Sequence, residues 1–176
     1  MPATLLGDAQ LAKRAGARVL ATASRDEKLE RLQELGLDQG INYNATDFVA
    51  EVRRLTDGRG ADVILEPIGG ENLQNSLRCL AHRGRCISFG DAGRQHGTPI
   101  DISTLRPNNE TLSGYFLGGE LFFGDRAHQV IVRHLDDIAA RRLRVLIDRS
   151  FPLTEAAAAH AYIESRQAFG RVLLKP

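Results

Sequence analysis

The chain has 176 residues, 43% hydrophobic and 26% charged, a balance that supplies a core and a polar surface and excludes wholesale disorder. Lysine and arginine number 23 against 22 aspartates and glutamates; the net charge of +1 lacks the basic excess of a nucleic-acid binder. No apolar run nears the roughly 20 residues that span a bilayer, and no secretory pattern opens the chain, so one cytoplasmic domain over residues 1–176 is expected.

Short apolar runs alternate with amphipathic stretches. Ala17–Thr22 reads as a buried strand, followed by a helix with Leu29, Leu32 and Leu35 on one stripe and Gly36 as its cap. A strand at Ile41–Tyr43 precedes a helix carrying Phe48, Val49, Val52 and Leu55. Gly58-Arg59-Gly60 turns into a strand at Asp62–Glu66; Gly69-Gly70 opens a helix bearing Leu73, Leu77 and Leu80; Gly84 precedes a strand at Cys86–Phe89. Asp91–Asn109 reads as loop with one helical turn near Ser103–Leu105, then a strand at Thr111–Phe116 and a helix over Asp125–Arg142. A strand at Val145–Ile147, an alanine-rich helix at Glu155–Ser165 and a strand at Arg171–Leu174 close the chain. This is the pattern of an α/β fold with a parallel sheet.

In such sheets ligands bind beyond the carboxyl ends of the strands. The first strand ends Ala23-Ser24-Arg25-Asp26-Glu27-Lys28, with no carboxylate at its tip. Ser24, Arg25 and Lys28 suit the 2′-phosphate of NADP, while Ser24 with Glu27 also reads as a helix capping box; both readings stand on these residues alone. Two further strand ends, Glu66-Pro67-Ile68-Gly69-Gly70 and Phe89-Gly90-Asp91, carry glycines that admit a ligand to the backbone, and Gly69-Gly70 at a helix start offers free amides. The five histidines share no metal-ligand spacing, and Cys79 and Cys86 read as small hydrophobes, so no metal is expected. A Gly-rich phosphate loop is missing: of Met1–Gln10 only Gly7 is glycine, Pro2 cannot donate to a ladder, and Asp8 brings negative charge.

Ala9–Lys13, Gly16–Val19, Asp26–Lys28, Ile41–Tyr43, Gly58–Val63, Pro67–Gly70 and Gly170–Val172, in that order, resemble the cofactor-binding half of a medium-chain dehydrogenase/reductase of the zinc-independent quinone oxidoreductase branch. The resemblance runs from Ala9 to Pro176. It implies an incomplete Rossmann-like, doubly wound parallel sheet lacking its first strand, and an enzyme twice this length with a GroES-like catalytic domain. The gap left by that strand would be closed by its neighbours, filled by Met1–Leu6, or completed by another chain.

By the same resemblance Ser24, Lys28, Tyr43 and Arg166 hold the 2′-phosphate of NADPH, while Gly90, Asp91, Phe116, Leu117 and Gly118 line the nicotinamide end; Arg25 and Gly69 join the cofactor-binding set from the strand ends read above. Gly114–Gly118 matches a late strand beside that ring. Glu66 stands where the family carries a shorter side chain. The implied activity is metal-independent hydride transfer from NADPH to a small-molecule quinone or activated alkene, with no catalytic side chain assigned. The alternatives are an enoyl-thioester reductase, or an inactive domain that self-associates through edge strands. The implied partner is a second copy, paired through Thr111–Phe116.

Overall fold

Apolar runs of strand length separated by amphipathic helices fold here into parallel ladders. The structure, a computed structural model, describes residues 4–95, 97, 99–165 and 167–176, with only the backbone described at Thr4 and Leu5. Its elements are α1 (Thr4–Arg14), β1 (Leu20–Ala23), α2 (Asp26–Gln33), β2 (Gln39–Asn42), α3 (Phe48–Leu55), β3 (Ala61–Glu66), α4 (Gly70–Arg78) and β4 (Leu80–Ser88). After a 3-10 turn at Ile102–Leu105 come β5 (Thr111–Gly114), α5 (Leu117–Phe122), α6 (Arg126–Ala139), β6 (Ile147–Pro152), α7 (Ala156–Glu164) and β7 (Arg171–Lys175). Among the described residues no helix is long and apolar enough to cross a membrane.

The ladders are β1-β2, β3-β4-β5 and β6-β7, and each pairing is parallel, as an α/β fold requires. The chain divides into two compact units, residues 1–46 with 129–176, and residues 47–128.

In the first unit the stripe of α2, Leu29 and Leu32, packs on Val19, Ala21 and Ala23 together with Leu6, Ala9, Leu35, Leu37 and Phe169. The helix ends as its glycine predicts: Gly36 has φ +103°, Leu37 N–H donates to Leu32 O and Gly36 N–H to Gln33 O, a Schellman closure. Gln10, buried in α1, docks that helix on Arg144: its amide donates to Arg144 O at 3.0 Å and its oxygen accepts from Arg144 N–H at 2.8 Å.

In the second unit Leu77, Leu80, Cys86 and Leu105 form the core, with Ile64, Leu73, Ile100 and Leu112 packed against it. Strand alternation sends Ile64 inward and leaves Val63 and Leu65, 49% and 45% exposed, on the opposite face.

Several expectations are corrected. The opening segment is helical: Thr4–Leu6 cannot fill a strand gap, and Gly7 sits within α1. Alanine, leucine, glutamine and lysine favour that helix, and Lys13 and Arg14 in its last turn suit the helix dipole. Gly84 lies inside β4. β5 stops at Gly114, and a short helix, α5, follows where none was expected. β6 occupies Ile147–Pro152 rather than Val145–Ile147, because pairing with β7 outweighs the polar side chains of Asp148, Arg149 and Ser150.

Candidate functional site

β1 and β2 run side by side, with Ala23 opposite Asn42 in the register. Tyr43 N–H donates to Ala23 O at 3.0 Å, extending the pairing by one residue. Ser24 and Tyr43 therefore leave adjacent strands at their carboxyl ends. Two asparagines, unremarked in the sequence, pin this corner. Asn44 Nδ2 donates to Ser24 O at 3.0 Å, Asn44 N–H to Asn42 Oδ1 at 3.1 Å, and Asn42 Nδ2 to Asp26 Oδ1 at 3.0 Å. Their signal was the Asn-Tyr-Asn following a strand, since asparagine bonds its neighbours' backbone in turns.

The capping-box reading of Ser24 does not hold. α2 opens at Asp26 behind an extended Arg25 (φ −151°, ψ 147°), with no side-chain cap. Lys28, one turn into α2, is only 6% exposed, and its Nζ donates to Ala168 O at 3.4 Å. The loop it reaches is anchored by Phe169, which is buried, with the Arg31 guanidinium 3.9 Å from its ring centre. Arg166 in that loop lies outside the described residues. Arg25 is exposed at the mouth of α2.

In the second unit the turns after β3 and β4 are laced together. Phe89 N–H donates to Glu66 O (3.1 Å), Ala92 N–H to Pro67 O (3.0 Å) and Gly93 N–H to Ile68 O (2.8 Å). Gly69, at φ +78°, abuts Asp91: a Cβ there would lie 2.7 Å from Asp91 Oδ1. At Gly90 a Cβ would lie 2.7 Å from Pro67 O. Three expected site residues, Gly69, Gly90 and Asp91, are thus brought together, and two of them must lack a side chain.

Of the amides expected free at Gly69-Gly70, that of Gly69 is taken. Glu66, 1% exposed, accepts from Ile68 N–H at 3.0 Å, Gly69 N–H at 2.9 Å and Asn72 Nδ2 at 2.7 Å, and Gln95 Oε1 accepts from Glu71 N–H at 3.2 Å. The helix start is capped from within.

Phe116, Leu117 and Gly118 do not continue a strand. Tyr115 N–H makes the last bond to Ser88 O at 2.8 Å, and Phe116 then serves as N-cap of α5, accepting from Gly119 and Glu120 N–H. Phe116 is 78% exposed, and Gly118 lies against its ring.

The family model for the zinc-binding dehydrogenases matches residues 6–132. A 2-haloacrylate reductase of Burkholderia sp is 36% identical over 94% of this chain and 50% of its own length. A quinone oxidoreductase of Pseudomonas aeruginosa is 30% identical over 95% of the chain and 51% of its own. The crystal structure of Escherichia coli quinone oxidoreductase complexed with NADPH superposes with a TM-score of 0.86 at 27% identity, covering 97% of this chain and 53% of that one. The chain spans about half the length of the relatives it matches.

The zinc in that description finds no donors to fit it. Among the described residues no group of three or more His, Cys, Asp or Glu could hold a metal ion. Burial pushes the thiol of Cys79 up to about 11 and that of Cys86 up to about 12, away from the thiolate that zinc needs.

Proposed function

The chain belongs to the zinc-binding dehydrogenase family, and from that premise we propose that it is the NADPH-binding part of an oxidoreductase that reduces a quinone or an activated alkene without a metal. The observation that carries this is the carboxyl-terminal corner of β1 and β2. The corner sets Ser24 beside Tyr43, with Lys28 one turn into α2 reaching the loop of Ala168, and no carboxylate at the tip of β1. Cations and hydroxyls are the donors a 2′-phosphate dianion recruits, whereas an NAD site offers an acid to the 2′-hydroxyl. Arg25 and Arg166 belong to this proposal as further cations, and Gly69, Gly90, Asp91, Phe116, Leu117 and Gly118 as residues lining the cofactor elsewhere.

Bound there, NADPH would supply the hydride for reduction of an electron-poor substrate, with the accompanying proton drawn from solvent. The chain's share is to hold and orient: Asn42 and Asn44 fix the strand-end corner, and the turns at Gly69 and Gly90 are fixed by their own lacing. The names of the Burkholderia and Pseudomonas relatives, a 2-haloacrylate reductase and a quinone oxidoreductase, describe reductions of electron-poor substrates and support this class. The two free, buried cysteines suit a cytoplasmic setting.

A second copy of the chain, paired through the strand near Thr111–Phe116, belongs to the proposal as partner; β5 ends its ladder among the described residues, which supports it. Titration calorimetry of the chain with NADPH and with NADH tests the proposal. NADPH is expected to bind at least about tenfold more tightly, as loss of a charge-assisted contact implies. Absence of binding by both at millimolar concentration refutes it.

A further inference from the structure

We propose that Glu66 is a positioning residue: its buried carboxylate sets the Pro67–Gly70 turn, and through it Gly69 and Asp91, in the geometry that receives the cofactor. The inference rests on the reading of the chain as an NADPH-binding protein.

The turn has a defect to repair. Pro67 has no N–H, so the backbone cannot close this corner through that residue, and the next two amides, of Ile68 and of the N-cap Gly69, precede α4 and need acceptors from outside its ladder. Two methylenes carry the Glu66 carboxylate past Pro67 to both of them. Oε1 accepts from Ile68 N–H at 3.0 Å and from Asn72 Nδ2 at 2.7 Å, and Oε2 accepts from Gly69 N–H at 2.9 Å. Both oxygens are used, and the residue is 1% exposed.

The negative charge faces the positive end of α4, where an external anion would otherwise sit. The protein thus supplies its own anion there, and the turn packs the side-chain-free faces of Gly69 and Gly90 on Asp91 Oδ1 and Pro67 O rather than offering the Gly69 amide to a ligand. Pro67 O and Ile68 O, held by the same turn, accept from Ala92 N–H and Gly93 N–H, so the Asp91 loop inherits its position from Glu66.

The test compares two ligands. NADPH is the whole cofactor; 2′,5′-ADP carries only the adenosine end proposed to bind at Ser24, Lys28 and Tyr43. Glu66→Gln places an amide donor against a backbone N–H. It is expected to weaken NADPH roughly tenfold and leave 2′,5′-ADP within about twofold. Exchange of the Ile68 and Gly69 amide protons, followed by NMR, is expected to accelerate. Should Glu66→Gln fail to fold, Asn72→Ala, which removes one donor and spares both backbone bonds, carries the test with about a threefold loss for NADPH alone. Equal losses for the two ligands, or none for either, overturn the positioning role. Failure of the unaltered chain to bind 2′,5′-ADP overturns the cofactor reading, and this inference with it.

Discussion

Lys28 carries the charge of the proposed phosphate corner although only 6% of it is exposed. It is buried with Leu29 and Leu32 in α2, and its amine reaches Ala168 O, so it is held in place before any ligand arrives. Lys28→Met keeps the stem and deletes the charge. NADPH affinity measured by calorimetry should fall about 10- to 100-fold, the range of a charge-assisted bond, and any NADH affinity should change far less. Asp137 shows the same scale acting on stability. Hydrogen bonds from Arg14 and then Arg142, each at 2.8 Å, hold its carboxyl below the ordinary value of 3.8. A depressed folded-state pKa stabilises the protein above the unfolded value, and the contribution is lost as pH falls through the folded one. The wild-type advantage over Asp137→Asn in urea midpoint should therefore be full near neutrality and shrink below about pH 4. Neither residue announced itself equally in the sequence. Lys28 is readable at the end of the first strand and gains weight from a resemblance, whereas the paired arginines around Asp137 come together only through tertiary packing.

Elements were legible where period and punctuation agreed. The run from β1 to α4 follows its leucine stripes and glycines to within a few residues, because Gly36, Gly58, Gly60 and Gly69 adopt the positive φ that such turns require. The misses have local causes. α5 is six residues long and holds two glycines, so no propensity marks it. β6 carries Asp148, Arg149 and Ser150, and only its partner strand makes it a strand. Asn42 and Asn44 leave only the weak signal of Asn-Tyr-Asn after a strand, and Glu66 only its unusual length, because their roles lie in bonds that the folded turns create. The end of α6 offers a test at this scale. It closes with Arg142 N–H on Asp137 O and Arg141 N–H on Ile138 O, with Arg141 at φ +59° where glycine is the usual occupant. Arg141→Gly should raise stability by about 0.5–1 kcal/mol, read from denaturant midpoints at constant m.

For the molecule as a whole the exposed strand margins set the behaviour. β5 pairs with β4 on one side, and Tyr115 N–H, directed to Ser88 O, fixes the parity: 111, 113 and 115 bond inward, so the N–H of Gly114 faces outward. Proline there blocks a second strand without removing a bond to β4, and a Cβ at Gly114 meets nothing within 4 Å. The unaltered chain should run as a dimer in light scattering at micromolar concentration, and Gly114→Pro as a monomer with unchanged circular dichroism; a wild-type monomer would remove the second-copy proposal.

Every ladder being parallel carries a kinetic corollary. Among the described residues no pair of strands meets by a hairpin; each must wait for an intervening crossover, from the 13 residues between Glu66 and Leu80 to the 22 between Ser88 and Thr111. Refolding from denaturant is thus governed by closure of long segments rather than by local zippering, and it leaves Val63 and Leu65 open to stray association while it proceeds. Cool, dilute renaturation suits such a topology better than rapid concentration.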